Sequence, residues 1–309
     1  MLTELVPDRV YVFSAPTNSG IFVDSSCQKA IMIDSGIDDA QARKIYRHIT
    51  QEFEMELTDV LTTHAHADHC GGHFWLQKKG VRVFAPPFEE SWVNHPIHMS
   101  YGLFGGARPP KELQNKFLKA SETKVDDILT VEQENEKLSD YNISLTSLPG
   151  HSMGQIGIIC HGVFFVGDAI FTPEVFTKHN QLPFNVDIEQ VRSSLEKIIL
   201  LVEKHEIEYL VPGHGDVITK VELNEIISQY KQVLDKNVDE IVEFLREKGN
   251  DASSDEIVAR ILKSRGTDQI DKGLYFLNRA TIQANLVYLE ESGKISSRIE
   301  EGKLVYSCN

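Results

Sequence analysis

The chain has 309 residues and a formal net charge of −15, with 46 acidic against 31 basic side chains. That charge repels phosphodiester backbones at long range and disfavours a nucleic-acid substrate, although a local basic groove would permit one. The sequence contains no apolar run near the roughly 20 residues of a membrane span and does not open with a signal-peptide pattern. We therefore expect a cytoplasmic protein without a membrane partner.

Short strands and a helix are predicted at the start of the chain. Residues 10–13, 21–23 and 30–33 are apolar segments separated by turn residues, which is typical of strands. Residues 38–50 have a helical pattern, with Asp38 as the N-cap. Strands that alternate with helices predict a layered α/β domain.

Three histidines and one aspartate crowd residues 63–69, directly after a strand-like segment at 57–62. Imidazoles and a carboxylate buried without partners would carry a large desolvation cost, and a divalent metal removes that cost by binding their lone pairs. The alternative for this run alone is a solvated, histidine-rich loop. The candidate ligands are His64, His66, Asp68 and His69.

Three more candidate ligands stand where later strands are predicted to end. His151 follows the strand-like residues 143–148, and Asp168 follows residues 163–166. His214 comes after the third such strand. A glycine beside each of them permits unusual backbone angles and a close approach to a metal. In this order, behind the first motif, the set predicts a binuclear metal centre.

At these residues the chain resembles the metallo-beta-lactamase-fold hydrolases, the superfamily that includes glyoxalase II. The resemblance covers roughly residues 8–220 and implies a four-layered αββα sandwich, with two sheets between helices. Asp34 also matches a family position, usually one that supports a ligand; an ordinary turn residue is the alternative. The ligand roles implied by the resemblance are a first metal on His64, His66 and His151, a second on Asp68, His69 and His214, and Asp168 as the bridge.

The ligand types indicate hydrolysis. Imidazole and carboxylate suit zinc, and equally iron or manganese, so the ligands do not fix the metal; two zinc ions are our expectation. Two such ions would share a hydroxide that attacks the scissile bond, and Asp68 would also act in catalysis by orienting it or relaying its proton. We expect an enzyme that cleaves an ester-like bond, a thioester, ester or lactone, of a small-molecule substrate. The alternatives are an endoribonuclease or phosphodiesterase, and a non-catalytic metal-binding sensor.

Cys70 follows the first motif directly but is not expected to bind metal. In the beta-lactamases of the superfamily that use a cysteine ligand, its position corresponds to Asp168 here, so we interpret Cys70 as a small packing residue. The four cysteines form no Cys-x-x-Cys pair. Scattered cysteines in a chain of this length indicate a reducing compartment.

Two further segments are candidates for the walls of the site. Residues 91–121 combine aromatic side chains with paired glycines and prolines, followed by a helix-like stretch at 111–119. This composition suggests a lid or a dimer contact, or else a packed connector. In residues 171–186, His179 is a candidate substrate contact, with a solvated loop histidine as the alternative.

The C-terminal part is predicted to differ from the catalytic domain, which we place at residues 1–220. Within residues 221–309 a long helix is followed by a helix start at 253–256, a third helix through 275–291 and a hairpin. The third helix carries an apolar stripe at residues 282, 286 and 289. This pattern resembles a winged helix. A metallo-beta-lactamase domain followed by a winged helix is similar to the lactamase-beta-like endoribonucleases.

The charge of that C-terminal part argues against nucleic-acid binding. Residues 236–309 carry a net charge of −2, whereas DNA-reading helices normally come with a basic footprint. Arg279, Gln283 and Asn285 are candidate base contacts, but we expect them instead to form the polar face of an amphipathic helix. We favour a structural or dimerising role, and a homodimer is the partner that this role implies.

Overall fold

The computed structural model describes residues 1–131, 138, 141–175, 182–249, 251–266 and 270–309. Its first sheet has seven strands that lie in sequence order. They are β1 (Leu2–Val6), β2 (Val10–Phe13), β3 (Ser19–Asp24), β4 (Lys29–Ile33), β5 (Glu56–Leu61), β6 (Arg82–Ala85) and β7 (Asp127–Ile128). Pairs from β1 to β4 are antiparallel, and pairs from β4 to β7 are parallel. The carboxyl end of β5 therefore opens onto the edge where α/β sheets bind ligands.

The second sheet has five strands in the order β12-β11-β10-β9-β8. They are β8 (Ile143–Ser147), β9 (Ile156–Cys160), β10 (Val163–Gly167), β11 (Tyr209–Pro212) and β12 (Ile218–Thr219). Strands β10 and β11 are parallel, and the other pairs are antiparallel. Parallel pairing places the ends of β10 and β11, and hence two predicted ligands, side by side.

The two sheets pack face to face. Phe22, Ile31 and Leu61 of the first sheet share one buried cluster with Ile158 and Phe165 of the second. β-Branched and aromatic side chains on these inner faces fill the space between the sheets, as in other sheet-on-sheet packings. This shared cluster fixes the sheets relative to each other.

Helices cover both outer faces. They are α1 (Asp39–Arg47), α2 (Ala67–Cys70), α3 (His73–Gln77), α4 (Glu89–Asn94), α5 (Ile97–Leu103), α6 (Ile188–Lys204), α7 (Leu223–Glu247), α8 (Ser254–Ser264) and α9 (Lys272–Glu291). Helix α1 begins at its predicted N-cap, where the Asp38 side chain accepts from two backbone N–H groups, and a π-helical turn (His48–Glu52) continues it. Ile45 of α1 packs on the first sheet, and Leu195 of α6 packs on the second. The predicted αββα sandwich is confirmed.

One predicted helix is wrong. In the stretch 111–119 only Lys111–Gln114 is helical, as a 3-10 turn. The Asn115 side chain donates to Glu112 O at 2.8 Å and accepts from Phe117 N at 2.9 Å. These local contacts offer the backbone an alternative to helical hydrogen bonds, which is why asparagine favours turns.

The C-terminal helices end in the predicted hairpin. Strands β14 (Ile295–Glu300) and β15 (Lys303–Cys308) pair antiparallel, and a short strand that the sequence analysis missed, β13 (Asp251–Ser253), joins β15. Helix α8 begins with a capping box between Ser253 and Glu256, as its start predicted. The resemblance to a winged helix itself remains a prediction.

Helix α7 belongs to two hydrophobic clusters. Tyr230 and Leu234 pack with the second sheet. Ile241 and Leu245 pack with α8 and with the predicted stripe of α9, including Leu286. The boundary that we predicted at residue 220 therefore lies just before a helix that supports both regions. Within the described part of the chain, no helix has both the length and the apolar composition needed to cross a bilayer.

Candidate metal centre

The structure brings all seven predicted ligands together where the carboxyl ends of strands from both sheets meet. Their donor atoms form three overlapping groups, and within each group the atoms lie within 4.8 Å of one another. The groups are His64, His66 and His151; His64, His69 and Asp168; and Asp68, His69 and His214. Residues from four separate strand ends therefore converge on one small volume, as a rigid metal site requires.

Asp168 lies between the two sets of predicted ligands. Its Oδ2 is 3.4 Å from His151 Nε2 and 3.4 Å from His214 Nε2, and its Oδ1 is 3.3 Å from His69 Nε2. The side chain is buried. This is the position that a bridging carboxylate would occupy, and the bridging role stays a prediction.

Backbone carbonyls orient two of the histidines. His151 Nδ1 is 2.7 Å from Phe184 O, and His214 Nδ1 is 2.6 Å from Pro16 O. A carbonyl oxygen only accepts, so each Nδ1 must carry the hydrogen. In the neutral imidazole each Nε2 then presents a lone pair to the cluster, which is the arrangement that metal-binding histidines use.

One buried carboxylate, Asp34, orients two more of the five histidines. It accepts from His69 Nδ1 at 2.8 Å and from the Thr63 hydroxyl at 2.7 Å. Because that hydroxyl donates its hydrogen to Asp34, its oxygen is left to accept from His64 Nδ1, 3.1 Å away. Asp34 thus fixes His69 directly and His64 through Thr63. These contacts fit a group that positions ligands, and the supporting role implied by the family position stays a prediction.

The residues present fit a divalent cation. His64 is completely buried, and its Nε2 has no hydrogen-bond partner among the described residues. A buried nitrogen without a partner is costly, and a metal ion would satisfy it. The surrounding donors are imidazole and carboxylate, the set that suits zinc, iron and manganese. No thiolate takes part in the three groups.

The charges of the centre favour a cation as well. Although burial opposes protonation, Asp168, Asp34 and Asp68 raise the pKa of His69 to about 10. Burial similarly opposes the rise at His214, yet Asp168 and Asp68 hold its pKa well above the ordinary value. The carboxylates therefore stabilise positive charge at the centre. Protons on these two histidines or a metal ion would supply that charge.

Gly213 gives the centre its room. A Cβ atom placed there would overlap Asp168 Oδ1 and lie 2.6 Å from His69 Cε1. Any larger residue would have to displace a buried predicted ligand, so only glycine leaves both side chains in place.

Cys70 and His73 are buried beside the centre but are not part of it. Cys70 Sγ donates to His66 O at 3.2 Å, and burial raises the pKa of its thiol. The His73 ring nitrogens bond to Thr62 Oγ1 and Ser35 Oγ at 2.8 and 2.7 Å. These contacts agree with the packing role predicted for Cys70.

The sequence analysis missed Glu89, a buried carboxylate that ties two ligand loops together. It accepts from Ala65 N, Ser152 Oγ and Gly154 N, each at 2.8 Å. Ala65 lies between two predicted ligands, and Ser152 follows His151. In the sequence Glu89 opens an acidic helix start, which looks solvated, so no signal marked it. Burial removes water from the carboxylate and raises its pKa, and the three donors oppose that rise.

A cavity of about 440 Å³ opens beside the cluster. Its volume lies in the range of about 300–1,000 Å³ that is usual for small-molecule sites. Segment 91–121 and helix α9 both line it, so the C-terminal part contributes directly to the site. His179 lies outside the described residues. The apolar lining includes Met99, Leu118, Leu182, Phe184, Leu274 and Leu277.

Buried polar contacts hold the loop before α6 against the C-terminal helices. Asn185 N donates to Thr281 Oγ1 of α9 at 3.3 Å, and Asn185 Nδ2 donates to Tyr230 OH of α7 at 3.0 Å. The carbonyl of the neighbouring Phe184 is the one that orients His151. The C-terminal helices therefore support a predicted ligand as well as the pocket wall.

Comparison with known proteins agrees with this geometry. The family model described as the metallo-beta-lactamase superfamily matches residues 15–214. A probable metallo-hydrolase of Methanocaldococcus jannaschii is 26% identical over 201 residues, covering 62% of this chain and 84% of that protein. The hydroxyacylglutathione hydrolase GloC of Haemophilus influenzae is 26% identical over 197 residues, covering 62% and 82%. A metallo-beta-lactamase family protein of Thermus thermophilus has a TM-score of 0.69 at 17% identity, over 99% of this chain and 100% of that one, which shows a shared fold.

Proposed function

This chain belongs to the metallo-beta-lactamase superfamily, and from that premise we propose that it is a hydrolase that cleaves an ester-like bond of a small substrate with two divalent metal ions. The observation that carries the proposal is the orientation of the cluster. Four predicted histidine ligands each have the Nδ1 atom hydrogen-bonded to a hydroxyl, a carboxylate or a backbone carbonyl, and Asp168 lies between the two ligand sets.

Metal ions and Asp68 would have different roles in the reaction. When bound, a pair of divalent ions supplies Lewis acidity toward the scissile carbonyl oxygen and lowers the pKa of a water nucleophile. Asp68 is the partly exposed carboxylate of the cluster; its Oδ2 is 3.1 Å from His214 Nε2 and accepts from Thr17 Oγ1 at 3.3 Å. It faces the cavity, where it would orient the attacking water and accept its proton.

The pocket favours a small ester over a phosphodiester. Among its described lining residues none is lysine or arginine, the side chains that normally neutralise phosphates. A ribonuclease or phosphodiesterase remains the second candidate, and the family relation to hydrolases weighs against a sensor. A small-molecule substrate, a cytoplasmic location and a homodimer remain proposals drawn from the sequence.

Metal loading and a substrate screen test the proposal. The protein is reconstituted at neutral pH with Zn²⁺, Mn²⁺ or Fe²⁺, its metal content is measured, and thioesters, esters, lactones, phosphodiesters and RNA are then offered. We expect about two ions per chain and chelator-sensitive cleavage of an ester-type bond. Trace metal after reconstitution would overturn the metal assignment, and cleavage of RNA alone would establish the second candidate.

A further inference from the structure

The lining of the cavity beside the metal centre combines polar side chains with a larger set of apolar ones. The predicted ligands in this lining are His66, Asp68, His151, Asp168 and His214, and we refer to its apolar side chains as the apolar end. We propose that the apolar end binds the acyl group of the substrate, and that this group is an uncharged aliphatic chain of medium length. The inference rests on the proposed hydrolase function and names its substrate class: esters, thioesters or lactones of medium-chain aliphatic acids.

The apolar end is a built structure that draws on three distant parts of the chain. Met99 and Leu118 come from segment 91–121, Leu182 from the loop before α6, and Leu274 and Leu277 from α9. Met99, Leu118 and Leu182 are all less than 10% exposed. Side chains this well buried hold the cavity open in a fixed shape, which is the condition for selective binding.

Contacts between segment 91–121 and α9 hold this wall together. A methyl group on Gly273 would lie 3.4 Å from Leu118 Cδ1, so the first turn of α9 packs closely on that side chain. Phe104 and Phe276 meet edge to face, with ring centroids 5.3 Å apart. Lys272 Nζ is 2.7 Å from Glu112 Oε1 at the surface. The two segments therefore close over the cavity as one packed unit.

The apolar end selects against an anionic acyl group. The described lining of the cavity includes neither lysine nor arginine. A second carboxylate, carried by the acyl chain, would lose its water among leucines, and no lysine or arginine of the described lining would pair with it. An aliphatic chain instead gains about fourfold in binding for each methylene that it buries.

The test is an acyl-length series on the metal-loaded protein. The substrates are the p-nitrophenyl esters of acetate, butyrate, hexanoate and succinate. From acetyl to hexanoyl we expect kcat/KM to rise about two- to fourfold per methylene, with the succinyl ester below butyryl. A flat series, or preference for the succinyl ester, would overturn the inference while leaving the hydrolase proposal in place.

Variants in α9 test whether the dependence of kcat/KM on acyl length comes from the apolar end of the cavity. Leu277→Lys places a cation in the apolar end, so it should lower the hexanoyl-to-acetyl ratio at least tenfold and raise the succinyl-to-hexanoyl ratio. Leu277→Ala, which adds no charge, should lower the first ratio about three- to tenfold. Val287→Lys is the matched control, because Val287 is 52% exposed on the same helix; it should leave both ratios unchanged. Equal ratios in all three variants would contradict the assignment.

A binding measurement separates this inference from the proposed function. Calorimetry with acetohydroxamate, hexanohydroxamate and succinyl monohydroxamate reports on the cavity without turnover. Tighter binding of the hexanoyl compound, lost in Leu277→Lys, would support the apolar subsite even if no ester were cleaved. Equal affinity for all three compounds would overturn it whatever the ester activity.

Discussion

Replacing Glu89 by glutamine should loosen two ligand loops at once. Its Oε2 accepts from Ala65 N, and its Oε1 accepts from Ser152 Oγ and Gly154 N. An amide keeps only one of these oxygens, so at least one buried donor must face an NH₂ group. An unsatisfied buried donor costs about 1–3 kcal/mol, and burying the neutral amide instead of a carboxylate offsets part of that cost.

We therefore expect the free energy of unfolding of the metal-free protein to fall by about 1–2 kcal/mol. The larger effect should be on metal, because groups that position ligands typically contribute about 10–100-fold to affinity. Urea unfolding with a chelator present measures the first quantity, and zinc competition against a chromophoric chelator measures the second.

Glu90→Gln is the matched control for this experiment. Glu90 is the next residue of α4, and its Oε2 has no hydrogen-bond partner among the described residues. Its variant should keep the zinc affinity of the original protein. If the Glu89 variant folds and binds zinc within twofold of that control, the carboxylate does not position the ligand loops and the reasoning is refuted.

Three further outcomes test the centre. Asp168→Ala should reduce metal content and turnover by about 100-fold or more, whereas Cys70→Ala should change neither, because its thiol donates to the backbone carbonyls of Ala65 and His66; equal losses in the two variants would show that the assignment of the second metal site is wrong. Gly213→Ala should fold but retain little metal by elemental analysis, because its methyl group overlaps Asp168 Oδ1; full occupancy would contradict the packing argument. Zinc binding at pH 7 should release about two protons, one each from His69 and His214, since their carboxylate neighbours raise both pKa values. Calorimetry in buffers of different ionisation enthalpy counts them, and binding without release would contradict the assigned protonation.

The sequence predicted the centre well because ligand chemistry is local. Crowded side chains such as His64 and His66 are costly to bury unless they bind a common metal ion, so their spacing alone indicated a metal. Strand ends also place residues predictably, which brought His214 to the site although it lies far along the chain. Periodicity identified most strands and the helices α1, α7, α8 and α9 for the same reason, since each depends on neighbours in sequence.

The groups that support the centre could not be predicted in the same way. Glu89 looks like a surface residue until the fold buries it against two loops, and Asn185 meets Tyr230 only through tertiary packing. The wall formed by Leu277 depends on how α9 packs over the cavity. At residues 111–119, the side-chain contacts of one asparagine outweighed a helical pattern. Each of these features depends on contacts that periodicity does not encode.

Helix α7 has a consequence for how the molecule opens. Because Tyr230 and Ile241 of one helix serve different clusters, unfolding of the C-terminal part would fray the cover of the second sheet, and unfolding of that sheet would release the C-terminal part. We therefore expect the two regions to unfold as one cooperative unit, with the middle of α7 among the last backbone amides to exchange with solvent. The pocket wall on α9 should then be as stable against unfolding as the sandwich. The cavity should therefore keep its shape until the whole protein unfolds.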